Sequence, residues 1–151
     1  MPVRPASRYR LFDLFIEMEA ALKQMPRYQD GIDGGQARAN WSRFAKDAGP
    51  ELHQRVDPEV RQVLITRPPM REIIVNERPE YDPNTPPLPG GHRWETAGAR
   101  LVIASVRVRN NLFHGGKEDP TRERYPMHDQ AVVDAAIEVF GYSKAILKRM
   151  A

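Results

Sequence analysis

The chain of 151 residues contains no cysteine. This absence excludes a disulfide framework, a thiolate zinc site and a cysteine nucleophile. No apolar run approaches the roughly 18 residues of a membrane span, and the first residues lack the apolar segment of a secretory signal. We therefore expect no membrane partner and a cytoplasmic location. The length is that of one domain, so we predict a single domain over residues 1–151.

The chain also lacks a strong charge of either sign. Its 23 basic and 20 acidic side chains leave a net charge of +3. A charge this small permits nucleic-acid binding without requiring it. Any function must therefore be inferred from local motifs rather than from composition.

Helical periodicity at both ends of the chain predicts an all-α fold, a bundle of four to five helices. The first helix is predicted over 8–25, with Ser7 as its N-cap and Pro26 ending it. The last is predicted over 126–150. The inward positions are Leu11, Leu14, Phe15, Met18, Leu22 and Met25 in the first helix, and Val132, Ala136, Val139, Phe140, Ser143 and Leu147 in the last.

The segments that follow the first helix carry weaker signals. A second helix is predicted over 37–48, buried through Trp41, Phe44 and Ala45 and ended by Gly49-Pro50. Asp57-Pro58 predicts the start of a short helix that ends at 67–69.

Two further segments complete the middle of the chain. Residues 71–76 fit either a strand or a turn of helix. Residues 77–91 hold five prolines and predict a long Pro-rich loop.

A long helix is predicted over 96–114, although its β-branched residues also fit a strand. Helix is preferred because five apolar or small residues share one stripe at 100° per residue. These are Leu101, Ala104, Ser105, Val108 and Leu112. Gly115 and Gly116 supply the stop.

The polar side of this helix carries the residues with chemical potential. Asn110 and His114 are four residues apart and share a face. Arg107 precedes His114 by seven residues and lies on nearly the same line. Arg109 lies about 140° from His114 around the axis. It reaches His114 only if its side chain curls round the helix or if the helix loosens near Gly115.

These residue types suit metal-free RNA cleavage. The helix dipole favours a protonated His114 in the last turn, and an imidazole that titrates near neutrality suits acid–base work. A guanidinium binds two phosphate oxygens at once. The structural alternative is a histidine that caps the helix beside a glycine pair, with an arginine held there by the dipole.

The segment VRNNLFHGGK, Val108 to Lys117, resembles the signature of the HEPN superfamily. That signature is an arginine, a polar residue and a histidine four positions further on, matched here by Arg109, Asn110 and His114. The long N-terminal amphipathic helix, the motif near the end of a later helix and one closing helix are similar to the family's layout.

The resemblance implies an α-helical homodimer in which two motifs meet to form one RNase site. Cleavage would need no metal and no cofactor, would act on an RNA substrate and would leave a 2',3'-cyclic phosphate. Many members are toxins or antiviral effectors, often beside a nucleotidyltransferase-like antitoxin. Arg109, Asn110 and His114 are the expected catalytic residues. Arg107 and Lys117 are candidates for binding phosphate, with a solvated surface as the alternative.

Two other interpretations are open. A HEPN-like module could dimerise or bind a nucleotide or protein partner without cleaving RNA, and a strand over 101–109 would indicate a chance motif in another fold. Trp41, Trp94 and Tyr125 are candidates for stacking on bases, with core packing as the alternative for Trp41.

Overall fold

We describe a computed structural model of the chain over residues 3–66, 72–82, 97–113 and 130–151. Five α-helices dominate the described residues, which confirms the predicted all-α helical bundle. They are α1 (Pro5–Lys23), α2 (Trp41–Arg55), α3 (Pro58–Arg61), α4 (Ala97–Phe113) and α5 (Gln130–Met150). A 3-10 turn (Pro26–Tyr28) and a π turn (Gln62–Thr66) follow α1 and α3. The strands are β1 (Gln29–Asp30), β2 (Arg38–Ala39), β3 (Glu72–Val75) and β4 (Arg78–Tyr81), paired in order as two antiparallel hairpins.

The helices share one hydrophobic core. Helix α5 packs against α1 and α4, and α2 packs along α4. Each helix contributes buried apolar residues to the same cluster. Within the described ranges, no helix is both long and apolar enough to cross a membrane.

The start of α1 differs from the prediction. The helix begins at Pro5, whose fixed φ suits the first helical position, and Arg4 is the N-cap without a side-chain hydrogen bond. Ser7 lies inside the helix, so its predicted N-cap role is wrong. Its Oγ instead accepts a hydrogen bond of 2.8 Å from Nε2 of Gln130, which joins the starts of α1 and α5.

Helix α2 corrects the prediction at both ends. Asn40 caps it by accepting a hydrogen bond of 3.0 Å from the backbone N–H of Arg43. The helix continues through Gly49 and Pro50 to Arg55. The lost backbone donor of Pro50 is offset by packing, since Leu52 beyond it is fully buried.

Gly49 has a tertiary role, because it lies where α2 crosses α4. A methyl group on Gly98 of α4 would lie 2.7 Å from the Cα of Gly49 and closer still to its carbonyl group. No side chain fits at position 98 at this separation of the two helices. The crossing therefore depends on the absence of a side chain at Gly98, where α4 meets the backbone of Gly49.

The residues before the motif are helical rather than strand, as preferred from the sequence. All five stripe residues of α4 are buried, and so are all six predicted inward residues of α5. In α1 the inward prediction holds except at Met25, which follows the helix and is half-buried. The predicted end of the short third helix (67–69), position 96 and residues 126–129 lie outside the described residues.

The ambiguous segment 71–76 contains a strand. Strands β3 and β4 form a hairpin whose two-residue turn has positive φ at both positions, 52° at Asn76 and 64° at Glu77. Such a turn matches the twist of the strands. The predicted loop over 77–91 is therefore wrong at its start, and residues 83–91 lie outside the described residues.

Candidate functional site

The candidate site lies at the C-terminal end of α4. Arg107, Arg109 and Asn110 are half-buried there. Asn110 lies opposite the buried stripe, and Arg107 and Arg109 lie on the two flanks of the helix. His114 and Lys117 lie outside the described residues, so the structure places three of the five predicted site residues.

Arg109 and Asn110 are brought together. Nη1 of Arg109 donates a hydrogen bond of 3.0 Å to Oδ1 of Asn110. The guanidinium carbon also lies 4.1 Å from the centroid of the Phe15 ring on α1. This is a cation–π contact, which restricts the guanidinium to one side of the helix. Arg107 is two residues earlier, so the helix directs it about 160° away from Arg109.

The surroundings of Arg109 affect the pKa of its guanidinium in two opposing ways. Burial lowers the pKa of the Arg109 guanidinium, and the carboxylate of Glu19 on α1 raises that pKa again. A guanidinium keeps its proton under such conditions because its ordinary pKa is so high. The site therefore presents a permanent positive charge that is partly shielded from water.

Phe15 connects Arg109 to an aromatic cluster. Its ring centroid lies 5.0 Å from that of Trp41 in a stacked arrangement and 6.1 Å from that of Phe140 in an edge arrangement. The Trp41 and Phe140 rings are 5.9 Å apart. Three elements, α1, α2 and α5, thus fix the ring that supports the guanidinium. The predicted burial of Trp41 is correct in part, since the indole packs on this cluster but is only half-buried.

A shallow groove of about 190 Å³ opens beside this cluster. It lies between the C-terminal half of α1 and strand β2. Its lining residues are Glu19, Lys23, Gln36, Ala37, Arg38, Ala39 and Trp41. Glu19 belongs both to this groove and to the electrostatic surroundings of Arg109.

A second and larger cavity of about 630 Å³ lies elsewhere, between the C-terminal ends of α1 and α5. Its walls are mainly apolar and include Met18, Met25 and Met150. None of its lining residues belongs to the motif. No group of three or more histidine and acidic side chains that could hold a metal occurs among residues 3–66, 72–82, 97–113 and 130–151.

Two residues of the site were not predicted as such. Phe15 was assigned to the core from its spacing, and Glu19 lies on the polar side of α1. The sequence carries no local signal for their contact with Arg109, because that contact depends on how α1 packs against α4.

Comparison of the chain with family models, curated proteins and solved structures gives no match.

Proposed function

We propose that this protein is a metal-independent endoribonuclease with a HEPN-like site formed by Arg109, Asn110 and His114. The observation that carries the proposal is the arrangement of the first two residues. Asn110 and the Phe15 ring hold the Arg109 guanidinium at the end of α4, five residues before His114 in sequence. A guanidinium held in this way loses little entropy when it binds phosphate.

The proposed reaction is a transesterification at phosphorus. His114 takes the proton of the 2'-hydroxyl, and the 2'-oxygen forms a bond to the neighbouring phosphorus. The bond from phosphorus to the 5'-oxygen breaks, and that oxygen takes up a proton. Arg109 stabilises the added negative charge on the phosphate oxygens. The products are a 2',3'-cyclic phosphate and a 5'-hydroxyl.

The proposal includes a homodimer in which two motifs form a composite site. Arg109 and His114 lie about 140° apart on an ideal helix. A second protomer removes this difficulty, because Arg109 of one chain then serves the phosphate held by His114 of the other. Arg107 and Lys117 are proposed to bind flanking phosphates.

By the same resemblance, we assign the enzyme to a toxin–antitoxin or antiviral defence system. Its partner would be a nucleotidyltransferase-like antitoxin, and its location the cytoplasm, where its RNA substrates are found.

One observation favours a second function, that of a non-catalytic binding or dimerisation module. Arg109 is half-buried and already engaged by Phe15 and Asn110. An arginine used in this way can hold α1 and α4 together without contacting any substrate.

The test is cleavage of RNA by purified protein in EDTA. We expect wild type to cleave and to leave cyclic-phosphate ends, and His114→Ala to lose at least about 100-fold in rate because the base is gone. Arg109→Ala should lose about as much. His53→Ala is the matched control, since His53 is an exposed histidine on α2, and it should cleave like wild type.

The outcomes separate the two functions. Failure of wild type to cleave tRNA, rRNA and mRNA would favour the binding module. Equal cleavage by wild type and the two motif variants would mean that another site or a contaminant is responsible.

A further inference from the structure

The groove beside the aromatic cluster combines a ring with positive charge. Trp41 supplies a half-buried indole, and Lys23 and Arg38 supply two cations against the single carboxylate of Glu19. Aromatic rings and cations in one groove are the features that bind single-stranded nucleic acid, because bases stack on the ring and phosphates pair with the cations.

The indole of Trp41 is held in place before any ligand arrives. It stacks on Phe15 and tilts against Phe140, at 5.0 and 5.9 Å between centroids. A fixed ring loses little conformational entropy when a base stacks on it. Core packing therefore supports a binding role for Trp41 rather than excluding one.

The two cations differ in their availability. Lys23 pairs with Glu19 at 3.1 Å. Arg38 is exposed on β2 and forms no ion pair within the part of the chain that the structure describes. Its backbone pairs with Asp30 in the β1–β2 hairpin, so substitution of its side chain leaves that pairing intact. Arg38 is therefore the better phosphate ligand of the two.

The groove lies close to the guanidinium of the motif. Arg109 Cζ is 4.1 Å from the Phe15 centroid, and that centroid is 5.0 Å from the centroid of Trp41. The guanidinium carbon and the centre of the indole are therefore at most about 9 Å apart, which is the sum of these two distances. Bases on one strand follow each other at roughly 3.4 Å, so about two to three nucleotides cover this span.

We propose that the groove binds one nucleotide of single-stranded RNA, within about two to three nucleotides of the phosphate that Arg109 contacts. The base stacks on Trp41, and its phosphate pairs with Arg38. This inference rests on the proposed function for its ligand, RNA, but it assigns a separate subsite with its own residues. The volume of about 190 Å³ accommodates one base.

The test uses the fluorescence of Trp41. The chain has two tryptophans, Trp41 and Trp94, so Trp94→Phe leaves Trp41 as the only tryptophan, and its emission is excited selectively at wavelengths that tyrosine does not absorb. The probe is a 2'-O-methyl RNA tetranucleotide with a terminal dye, which cannot be cleaved because its 2'-oxygen is blocked. We expect saturable quenching of Trp41 with the same Kd as the rise in dye anisotropy.

Arg38→Ala tests the phosphate contact. It should raise the Kd about fivefold and lower the dependence of log Kd on log salt concentration by about 0.7, the value for one phosphate contact with a single strand. Lys148→Ala is the control, because it removes an exposed cation from the other cavity, and its Kd should match that of the parent.

The proposed subsite and the proposed enzyme fail in different ways. Quenching and the Arg38→Ala effect without any cleavage of natural RNA would retain the subsite and reject the ribonuclease. Binding without quenching, an unchanged Kd in Arg38→Ala, or no binding at all would overturn the subsite, whatever the cleavage assay shows.

Discussion

Among the described residues, the guanidinium of Arg109 meets an amide, an aromatic ring and, at longer range, a carboxylate. The amide is on its own helix and the other two are on α1. The residue types of the motif could be identified from the sequence, because Arg109, Asn110 and His114 follow a recognisable spacing. The ring of Phe15 could not, since contacts between distant segments depend on packing that a single sequence does not specify.

A second charged contact, at Asp47 on α2, determines part of the stability. Its Oδ2 accepts hydrogen bonds from Arg27 Nε at 2.6 Å and from the hydroxyl of Tyr28 at 2.7 Å. The hydrogen bond from Arg27 lowers the pKa of Asp47 below its ordinary value. A carboxyl whose pKa is lowered by folding stabilises the folded state above its unfolded pKa, and that stabilisation is lost as pH falls through the folded pKa.

We therefore predict that Asp47→Asn lowers the free energy of unfolding by about 1–2 kcal/mol at pH 7, because hydrogen bonds to a charged group are lost. The difference from wild type should begin to shrink below about pH 4, the ordinary pKa of an aspartate in the unfolded chain, and should be lost as pH falls through the lowered pKa of folded Asp47. Urea unfolding at pH 7 and pH 3 measures both values. Asp13→Asn, on the exposed face of α1, should have little effect at either pH. An equal loss for Asp47→Asn at both pH values would contradict the prediction.

At the scale of elements, the helices with regular apolar periodicity were predicted well and α2 was not. Helices α4 and α5 have apolar stripes that match their buried faces. Gly49-Pro50 is typical of a helix end, so the sequence indicates a stop inside α2. The backbone of Gly49 instead lies at the crossing with α4, a tertiary contact that the local sequence does not indicate. The β3–β4 turn was missed because its second residue is Glu77, where glycine is usual.

Gly98 and Gly141 both lie within helices, but Gly98 lies at the crossing of α2 and α4 and Gly141 does not. We therefore predict that alanine has opposite effects on stability at the two positions. Gly98→Ala should lower the free energy of unfolding by about 3 kcal/mol or more, because its methyl group overlaps the backbone of Gly49. Gly141→Ala on α5 should raise it by roughly 0.5–1 kcal/mol. That position is exposed, no atom lies within 4 Å of an added Cβ, and alanine favours helix more than glycine does. Thermal or urea unfolding of the two variants provides the comparison. A Gly98→Ala protein as stable as wild type would show that the helices separate at little cost.

At the scale of the whole molecule, the proposed composite site predicts complementation. Arg109→Ala and His114→Ala are each expected to be inactive as homodimers. In a mixed dimer, one of the two Arg109–His114 pairs of the composite site would carry both mutations and the other pair would carry neither. Random mixing after co-expression should therefore restore about a quarter of wild-type activity, since half of the dimers are mixed and each has one of its two pairs intact.

Two controls define this experiment. Size-exclusion chromatography with light scattering should give twice the monomer mass for wild type and for both variants. Activity that stays absent in a mixture of proven heterodimers would place Arg109 and His114 of one site in the same chain. A wild-type protein that is fully active as a monomer would reject the composite site.

The arrangement of the whole bundle was only partly accessible from the sequence. The number of helices follows from periodicity, whereas the groove between α1 and β2 depends on the 3-10 turn and the short β1–β2 hairpin that follow α1. These elements are too short to produce a periodic pattern. For that reason Trp41 was noted as a candidate for base stacking without the cations that lie beside it.

The contact between Gly98 and Gly49 also influences the position of Arg109. Arg109 lies eleven residues beyond Gly98 on the same helix, about 16 Å away at 1.5 Å per residue. If α4 tilts by roughly 5° about its contact at Gly98, the backbone of Arg109 moves by more than 1 Å, and a misplacement of about 1 Å can cost about 100-fold in rate. If Arg109 acts on phosphate as proposed, turnover is therefore sensitive to small changes in the packing at Gly98 that do not unfold the bundle.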